Sequence, residues 1–266
     1  MKTILQKTAC SSLVLSALLL GAIPAHAVLL VSNFEAPTYT AGTALGGQDG
    51  WTGGSVVTPD GGGTGYTFAL AGSQSAMATI TGTRKYFSSV GATASDIYEL
   101  SWLQATPDAV GLTVYQGLYL INAGNSTPAG IVAKNVSGTV NIWLSGNAEF
   151  DTGVTYLAGG GGAPTLNNIY EFTMQFDFAS DQMLGFYSLN GGSTTSLGSV
   201  AISSSLTAAD VAANYGVFLY NSSGASGFDN IELTAAVPEP GSVAMVLFGL
   251  GSLSVLRRSR RQSASA

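Results

Sequence analysis

The stretch Ile169–Phe178, IYEFTMQFDF, alternates apolar and polar side chains along its length. Successive side chains of a β-strand point to opposite sides, so the two kinds of residue are separated onto two faces. The apolar face carries Tyr170, Phe172, Met174, Phe176 and Phe178, and the polar face carries Glu171, Thr173, Gln175 and Asp177. The pattern predicts a half-buried antiparallel strand.

The same period of two recurs elsewhere, and turn-forming residues separate the repeats. Apolar side chains alternate at Tyr98, Leu100 and Trp102, and again at Val140, Ile142 and Leu144. Asn190-Gly191 predicts a two-residue hairpin, and further turn signals lie at 179–181 and 221–224. One short helix is predicted from Thr207 to Ala213, with Thr207 as its N-cap. Many strands and little helix predict an all-β fold, a single antiparallel β-sandwich.

The N-terminal segment 1–27 has the pattern of a signal peptide. Lys2 and Lys7 precede an apolar run from Leu13 to Ile23, and Ala25-His26-Ala27 is the small-x-small pattern of a cleavage site. The alternative is a membrane anchor, but an apolar run of about 11 residues is short for a span. We expect signal peptidase to cut after Ala27.

Cleavage there removes the cysteine and the histidine of the chain, Cys10 and His26. The mature protein would then have no cysteine nucleophile, no Ser-His-Asp triad, and no zinc site built from histidine or cysteine. It would also lack disulfides. These classes of chemistry are therefore not expected.

The segment between the two ends, 28–236, is strongly acidic. Its basic residues are Arg84, Lys85 and Lys134, against 14 Asp and Glu, which gives a formal charge of −11 compared with −6 for the whole chain. Such a charge repels phosphate backbones and anionic lipid headgroups. We expect no nucleic-acid partner.

The C-terminal segment 237–261 combines three features in a fixed order. Pro238-Glu239-Pro240 is followed by the uncharged run 241–256, which as a helix would measure about 24 Å, and then by four arginines. Those arginines are Arg257, Arg258, Arg260 and Arg261. The positive-inside rule keeps them in the cytoplasm, so the pattern predicts a transmembrane helix in the precursor with the body outside and a short tail, 262–266, inside. A permanent tail anchor is one interpretation.

This order resembles the PEP-CTERM sorting signal of Gram-negative bacteria. The resemblance implies that an exosortase cuts near Pro238–Pro240 and that the helix 241–256 holds the protein in the inner membrane only transiently. The protein would then be delivered to the cell surface or the extracellular matrix.

Two motifs at the ends of the body resemble the concanavalin A-like jelly-roll family. Asn33-Phe34-Glu35 leads into GGQDGW at 46–51, and SGFDNIEL at 226–233 closes the body. The resemblance implies a jelly roll over 28–236, with an immunoglobulin-like sandwich as the alternative. It also implies paired first and last strands whose carboxylates, Glu35 and Asp229, hold a structural Ca²⁺. No cofactor is expected to be required.

The fold family includes glucanases, which place two glutamates on one strand face in a Glu-x-Asp-x-x-Glu arrangement. Glu149-Phe150-Asp151 begins that way, but Val154 stands where the second glutamate belongs. We therefore predict no catalytic residues and no enzyme activity.

A binding site is predicted around Trp143. Val140, Ile142 and Leu144 are expected to face the core, so Trp143 should lie on the polar face of the strand beside Asn141 and Ser145. An indole in that position can stack on a sugar ring. The alternative is that the glycine-rich loop 159–162 folds over Trp143. The favoured function is an exported, non-catalytic carbohydrate-binding protein with an extracellular polysaccharide as partner. The alternatives are a structural matrix protein without a discrete ligand and, less favoured, a glycan-active enzyme.

Overall fold

The computed structural model describes residues 25–53, 56–59, 70–78, 82–88, 97–106, 115–122, 124, 126–157, 168–222 and 226–237. The body of the protein is the compact unit Ala27–Ala235, and the terminal segments form a second unit. The predicted sorting residues Pro238, Glu239 and Pro240, the four arginines and the predicted helix 241–256 lie outside the described residues.

Within the described residues the chain forms fifteen strands and one helix. They are β1 (Ala25–Ser32), β2 (Trp51–Thr52), β3 (Val56–Pro59), β4 (Gln74–Ala78), β5 (Thr83–Ser88), β6 (Ile97–Ala105), β7 (Gln116–Asn122), β8 (Ala129–Val136), β9 (Thr139–Ser145), β10 (Glu149–Thr155), β11 (Tyr170–Asp177), β12 (Gln182–Leu189), β13 (Thr195–Ala201), α1 (Ala208–Ala213), β14 (Asn214–Asn221) and β15 (Ser226–Val237). In these ranges no helix is long and apolar enough to cross a membrane.

The strands form two sheets, and every pairing whose register is described is antiparallel. The eight-stranded sheet has the order β13-β12-β11-β6-β15-β4-β3, with β1 paired to β15, and the seven-stranded sheet has the order β10-β9-β8-β7-β14-β5-β2. The fold is therefore the predicted all-β sandwich, and its first and last strands pair. Fifteen strands exceed the seven to nine of an immunoglobulin domain, so that alternative is wrong.

The strand β11 lies between β6 and β12, and it shows the predicted separation of faces. Tyr170, Phe172, Met174 and Phe176 are buried, while their polar neighbours are half-buried or exposed. Phe172 lies opposite Trp102 of β6, so the two alternating patterns meet on one inner face. The prediction for this stretch is confirmed.

The inner faces of the two sheets pack directly on each other. A Cβ added to Gly185 of β12 would come within 2.5 Å of Leu144 in β9, so the glycine allows close contact between the sheets. Stacked aromatic rings continue the core, with centroids 4.6 Å apart for Tyr156 and Tyr170. Such pairs add about 0.5–1.5 kcal/mol beyond the burial of their area. This core fixes which face of each strand points to solvent.

Two local predictions have different outcomes. The helix α1 begins after Thr207, whose hydroxyl accepts the backbone N–H of Asp210 at 3.1 Å, as predicted for an N-cap. The prediction of a two-residue hairpin loop at Asn190-Gly191 is wrong, because β12 ends at Leu189 and β13 begins only at Thr195. Both residues do have positive φ angles, 53° and 69°, so the turn is present but the loop after it is longer.

Candidate functional site

The outer face of the seven-stranded sheet, which points away from the core, carries several aromatic rings. The strand register places Arg84, Phe218, Tyr119 and Gly130 in one row across β5, β14, β7 and β8, and the row continues to Ser145 of β9 and Glu149 of β10. The neighbouring row runs from Tyr220 to Trp143 and Asp151. We call this surface the aromatic face.

A cavity of about 260 Å³ opens on the aromatic face, lined by Tyr115, Tyr119, Thr127, Phe218 and Tyr220. Its rings contact each other. The ring centroids of Tyr119 and Tyr220 are 6.1 Å apart, and those of Phe218 and Tyr220 are 5.6 Å apart. We call this cavity the aromatic groove.

Glycines beneath the groove allow its rings to lie on the sheet. A Cβ at Gly130 would come within 2.5 Å of the Tyr119 ring, and a Cβ at Gly82 would overlap the ring of Phe218. Since a larger residue would lift each ring, the glycines hold Tyr119 and Phe218 close to the backbone. Both rings are half-buried, so part of each remains exposed to solvent.

A cationic side chain lies at each end of the groove. The Arg84 guanidinium is 5.6 Å from the centre of the Phe218 ring. At the other end Lys134 Nζ lies 4.7 Å from the Tyr115 ring and 4.6 Å from the Trp143 ring, and it donates to Glu149 at 2.5 Å. The hydrogen bond to Glu149 raises the pKa of Lys134 above its ordinary value, so this ammonium stays charged.

The structure places the three predicted ligand residues, Asn141, Trp143 and Ser145, on the outer side of β9, where all three are half-buried. The Asn141 amide donates to both oxygens of Asp151 at 3.1 Å. Trp143 Nε1 is buried and finds no hydrogen-bond partner within the described part of the chain. The loop 159–162, proposed as its cover, lies outside that part. Lys134 already covers part of the indole, so Trp143 is not an isolated platform.

The residues that line the groove were missed from the sequence. In Asn214–Asn221, NYGVFLYN, the alternation puts Tyr215, Val217 and Leu219 on the inner face and Phe218 and Tyr220 on the outer face. Because both faces of this strand are apolar, periodicity alone does not show which one faces solvent. Only the pairing with β7 brings Phe218 beside Tyr119.

The two carboxylates of the stretch Glu149-Phe150-Asp151 lie at the edge of the aromatic face. Glu149 and Asp151 are both exposed on the edge strand β10. Each contacts a neighbour on the same face, Glu149 the Lys134 ammonium and Asp151 the Asn141 amide. Val154, at the position of the expected second glutamate, is half-buried and packs against the core.

The predicted metal ligands Glu35 and Asp229 both bind the turn 71–75. Glu35 Oε1 accepts the backbone N–H groups of Ser73 at 2.6 Å and Gln74 at 2.9 Å, and Oε2 accepts the Ser73 hydroxyl at 2.5 Å. These bonds lower the pKa of Glu35, against the opposing effect of its partial desolvation.

Asp229 is fully buried at a bulge in β15. Its Oδ2 accepts the Ala71 N–H at 3.1 Å and the Ser75 hydroxyl at 3.0 Å, and Oδ1 accepts the Asn230 N–H at 2.8 Å. Burial raises the pKa of Asp229 to about 7, and the nearby charge of Glu35 adds to the rise.

Glu35 and Asp229 offer oxygen ligands of the kind that Ca²⁺ prefers, but two carboxylates alone do not complete a site. Glu35 Oε2 and Asp229 Oδ1 each accept one described hydrogen bond, so each keeps a lone pair that Ca²⁺ could use. Among the described residues, however, no group of three or more acidic, histidine or cysteine side chains could hold a metal. Backbone carbonyls or water would have to complete the coordination.

The sheets and the groove define a β-sandwich protein with an aromatic outer face. The PEP-CTERM protein-sorting motif matches residues 236–261, so this chain carries that sorting motif at its C-terminus. The motif implies export and processing by an exosortase at the membrane.

Solved structures with similar folds include both lectins and glycan-active enzymes. Peanut lectin is 9% identical with a TM-score of 0.46, covering 79% of this chain and 97% of its own. The catalytic domain of a glycoside hydrolase family 131 protein from Coprinopsis cinerea is 11% identical with a TM-score of 0.43, covering 80% and 98%. The alginate lyase from Klebsiella pneumoniae is 10% identical with a TM-score of 0.35, covering 69% and 81%. Similarity at this level says nothing about ligand or activity. No curated protein matches the sequence.

Proposed function

We propose that the body is a non-catalytic carbohydrate-binding domain and that the aromatic groove is its binding site. The observation that carries the proposal is the set of tyrosine and phenylalanine rings held close to the sheet by Gly130 and Gly82 on a solvent-facing surface. Apolar surface that is gathered in one place and remains partly open to solvent is typical of ligand-binding grooves.

The chemistry of the groove suits sugar rings. The apolar C–H face of a pyranose stacks on an aromatic ring, while tyrosine hydroxyls donate to and accept from ring hydroxyls. Burial raises the pKa of Tyr119, so its hydroxyl stays protonated and available as a donor. Trp143 and Asn141 extend the same surface, since Lys134 joins the Trp143 ring to Tyr115.

Binding rather than hydrolysis is supported by the position of the carboxylates. The described lining of the groove consists of aromatic residues and Thr127, without an acidic side chain. Glycoside hydrolysis needs two carboxyl groups on either side of the scissile bond. Glu149 and Asp151 are not part of that described lining, and each is bonded to a neighbouring residue, Glu149 to Lys134 and Asp151 to Asn141.

The sorting motif at residues 236–261 supports a location of this domain outside the cell. An exosortase would cut near Pro238–Pro240 after the helix 241–256 has held the precursor in the inner membrane. The body would then reach the cell surface or the extracellular matrix, where a polysaccharide is its expected partner. A Ca²⁺ at Glu35 and Asp229 would stabilise the first part of β15 and take no part in sugar binding.

Binding to a glycan array, followed by calorimetric titration, tests the proposal on variants of the aromatic groove. We expect Tyr119→Ala and Phe218→Ala each to weaken binding about 5- to 150-fold, which corresponds to the loss of about 1–3 kcal/mol, the contribution of a nucleic-acid base stacked on one aromatic ring. Phe186→Ala is the matched control, because Phe186 is a half-buried aromatic residue on the outer face of the other sheet. A protein that binds no glycan would favour the structural matrix role, and turnover of a bound glycan would favour an enzyme.

A further inference from the structure

The charged side chains of the aromatic face balance one another. Its described part carries two cations, Arg84 and Lys134, and two carboxylates, Glu149 and Asp151. Lys134 forms an ion pair with Glu149 at 2.5 Å, and both oxygens of Asp151 accept the Asn141 amide at 3.1 Å. This part of the face therefore has no formal net charge, although the body 28–236 as a whole has a charge of −11.

This distribution of charge favours an uncharged ligand. The described lining of the groove consists of four aromatic rings and Thr127, so the polar side-chain groups that it offers are hydroxyls. A polyanion would be repelled by the acidic body, and a polycation would meet the positive charges of Arg84 and Lys134 beside the rings. A neutral sugar meets neither repulsion, and its hydroxyls can form hydrogen bonds with those of the tyrosines.

The aromatic surface extends beyond the groove to Trp143. The strand register aligns Tyr220 of β14 with Gly117 of β7, Val132 of β8 and Trp143 of β9. Three strand spacings of about 4.8 Å therefore separate Tyr220 from Trp143 by about 14 Å. A single sugar ring is much smaller than this distance, so only a chain of sugars can contact both rings.

Lys134 connects the groove with Trp143. Its ammonium lies 4.7 Å from the ring of Tyr115, which lines the groove, and 4.6 Å from the ring of Trp143. The same ammonium donates a hydrogen bond to Glu149 at 2.5 Å, so donor and acceptor stand together as a neutral pair. A chain that leaves the groove here would meet hydrogen-bonding groups and then the half-buried indole.

We propose that the ligand of the aromatic groove is an uncharged polysaccharide, and that its chain continues from the groove across the strands to Trp143. This inference rests on the proposed carbohydrate-binding function and names the chemical class and the minimum extent of its ligand. In this arrangement the rings of the groove hold one part of the chain, and Trp143 stacks on a sugar further along it.

The first test concerns the charge of the ligand. Neutral oligomers of glucose, galactose, mannose and N-acetylglucosamine are titrated into the full-length chain in detergent, beside oligogalacturonate, oligomannuronate and the methyl esters of these two acids. We expect at least one neutral oligomer to bind with an affinity that does not change with salt, and neither acid to bind more tightly than its ester. An acid that binds more tightly than its ester, or a binding affinity that falls as salt is raised, would overturn the inference.

The second test concerns the length of the chain, and it uses the dimer and the hexamer of the neutral sugar that binds most tightly. The hexamer should bind about 5- to 150-fold more tightly than the dimer, the range measured for a nucleic-acid base that stacks on one further aromatic ring. Trp143→Ala should remove this gain while leaving dimer binding unchanged, and Trp143→Phe should keep part of it.

Tyr220→Ala is the matched control, because Tyr220 lines the groove itself and its loss should weaken dimer and hexamer alike. A melting curve of each variant confirms that it is folded. Equal affinities for dimer and hexamer, or a gain that survives Trp143→Ala, would overturn the inference but leave glycan binding standing. If none of these sugars binds, the proposed function itself fails.

Discussion

Glu35 and Asp229 are 194 positions apart in the sequence, yet both accept hydrogen bonds from the single turn 71–75. Glu35 follows the first strand and Asp229 lies in the last, so the turn joins the two ends of the sandwich through carboxylates. The two differ in environment, because Glu35 bonds at the surface while Asp229 is fully buried. We expect this difference to make the stability of the junction depend on pH.

Stability of the body should fall as the pH rises from about 5 to about 7. The pKa of Asp229 is raised to about 7 from an ordinary 3.8, so the folded state holds a proton that the unfolded state has lost, and this contribution disappears as pH rises through 7. The pKa of Glu35 is lowered from its ordinary 4.5, so Glu35 makes stability increase with pH, but only at pH values below about 4.5. Melting temperatures between pH 5 and 8 test this. Asp229→Asn should flatten the curve, and a wild-type stability that increases over this window would contradict the assignment.

Calcium should stabilise the protein at pH 8 if Glu35 and Asp229 bind it. At a concentration of 100 Kd the gain is about 2.7 kcal/mol, and it should decrease at pH 6 because a proton competes for Asp229. The measurement is a melting curve with Ca²⁺ and with a chelator. Glu35→Gln should abolish the difference. Identical melting curves of the wild type with Ca²⁺ and with chelator would contradict Ca²⁺ binding at Glu35 and Asp229.

Trp143 should be the quenchable tryptophan of the body. Trp51 and Trp102 are buried, whereas Trp143 is half-buried on the aromatic face. We expect iodide to quench one component of the fluorescence, this component to disappear in Trp143→Phe, and a bound glycan to protect it. Trp143→Ala should destabilise by about 1–3 kcal/mol, less than the 3–5 typical of a fully packed ring. Complete resistance to iodide would mean that another segment covers the indole.

Gln116 and Gln104 give a matched pair of buried amides. Neither polar atom of the Gln116 side chain has a hydrogen-bond partner among the described residues, whereas Gln104 Oε1 accepts the Trp102 indole N–H at 3.1 Å. We expect Gln116→Leu to increase the free energy of unfolding by about 1–2 kcal/mol, and Gln104→Leu to decrease it because the Trp102 donor loses its partner. Urea denaturation measures both. A large loss for Gln116→Leu would show that an ordered water or another residue bonds its amide.

The mass of the intact exported protein tests whether both ends of the chain are removed by proteolysis. We expect protein recovered from outside the native host to lack residues 1–27 and the cluster Arg257–Arg261, because signal peptidase and an exosortase would remove them. Replacing the four arginines should impair retention of the tail during export, because they set its orientation. Intact arginines in an integral membrane fraction would instead indicate a permanent anchor.

The all-β fold could be predicted from the sequence because the alternation of apolar and polar residues can be seen within each single strand. Ile169–Phe178 and Val140–Leu144 each predict their own buried face, and the structure confirms both faces. The length of the loop after Asn190 was not predictable, since the turn residues are the same in a short hairpin and a longer connection.

The aromatic groove could not be predicted for a different reason. It is formed by side chains from β7 and β14, whose residues Tyr119 and Phe218 are far apart in sequence and become neighbours only through strand pairing. A tryptophan on a polar strand face stands out in a sequence, and Trp143 does lie on the same surface. Tyrosines on strands with two apolar faces do not stand out, although here they line the cavity.

The central claim is that glycans bind to the aromatic groove, and NMR chemical-shift mapping tests it most directly. The measurement uses the fragment 28–236, after circular dichroism has shown that it is folded and rich in β-structure, with the tightest glycan from the array. We predict that the perturbed resonances cluster at Tyr119, Phe218 and Tyr220, while Thr173 and Gln175 on the outer face of the other sheet do not shift. Perturbations centred on that other face, or none at saturating glycan, would contradict the account.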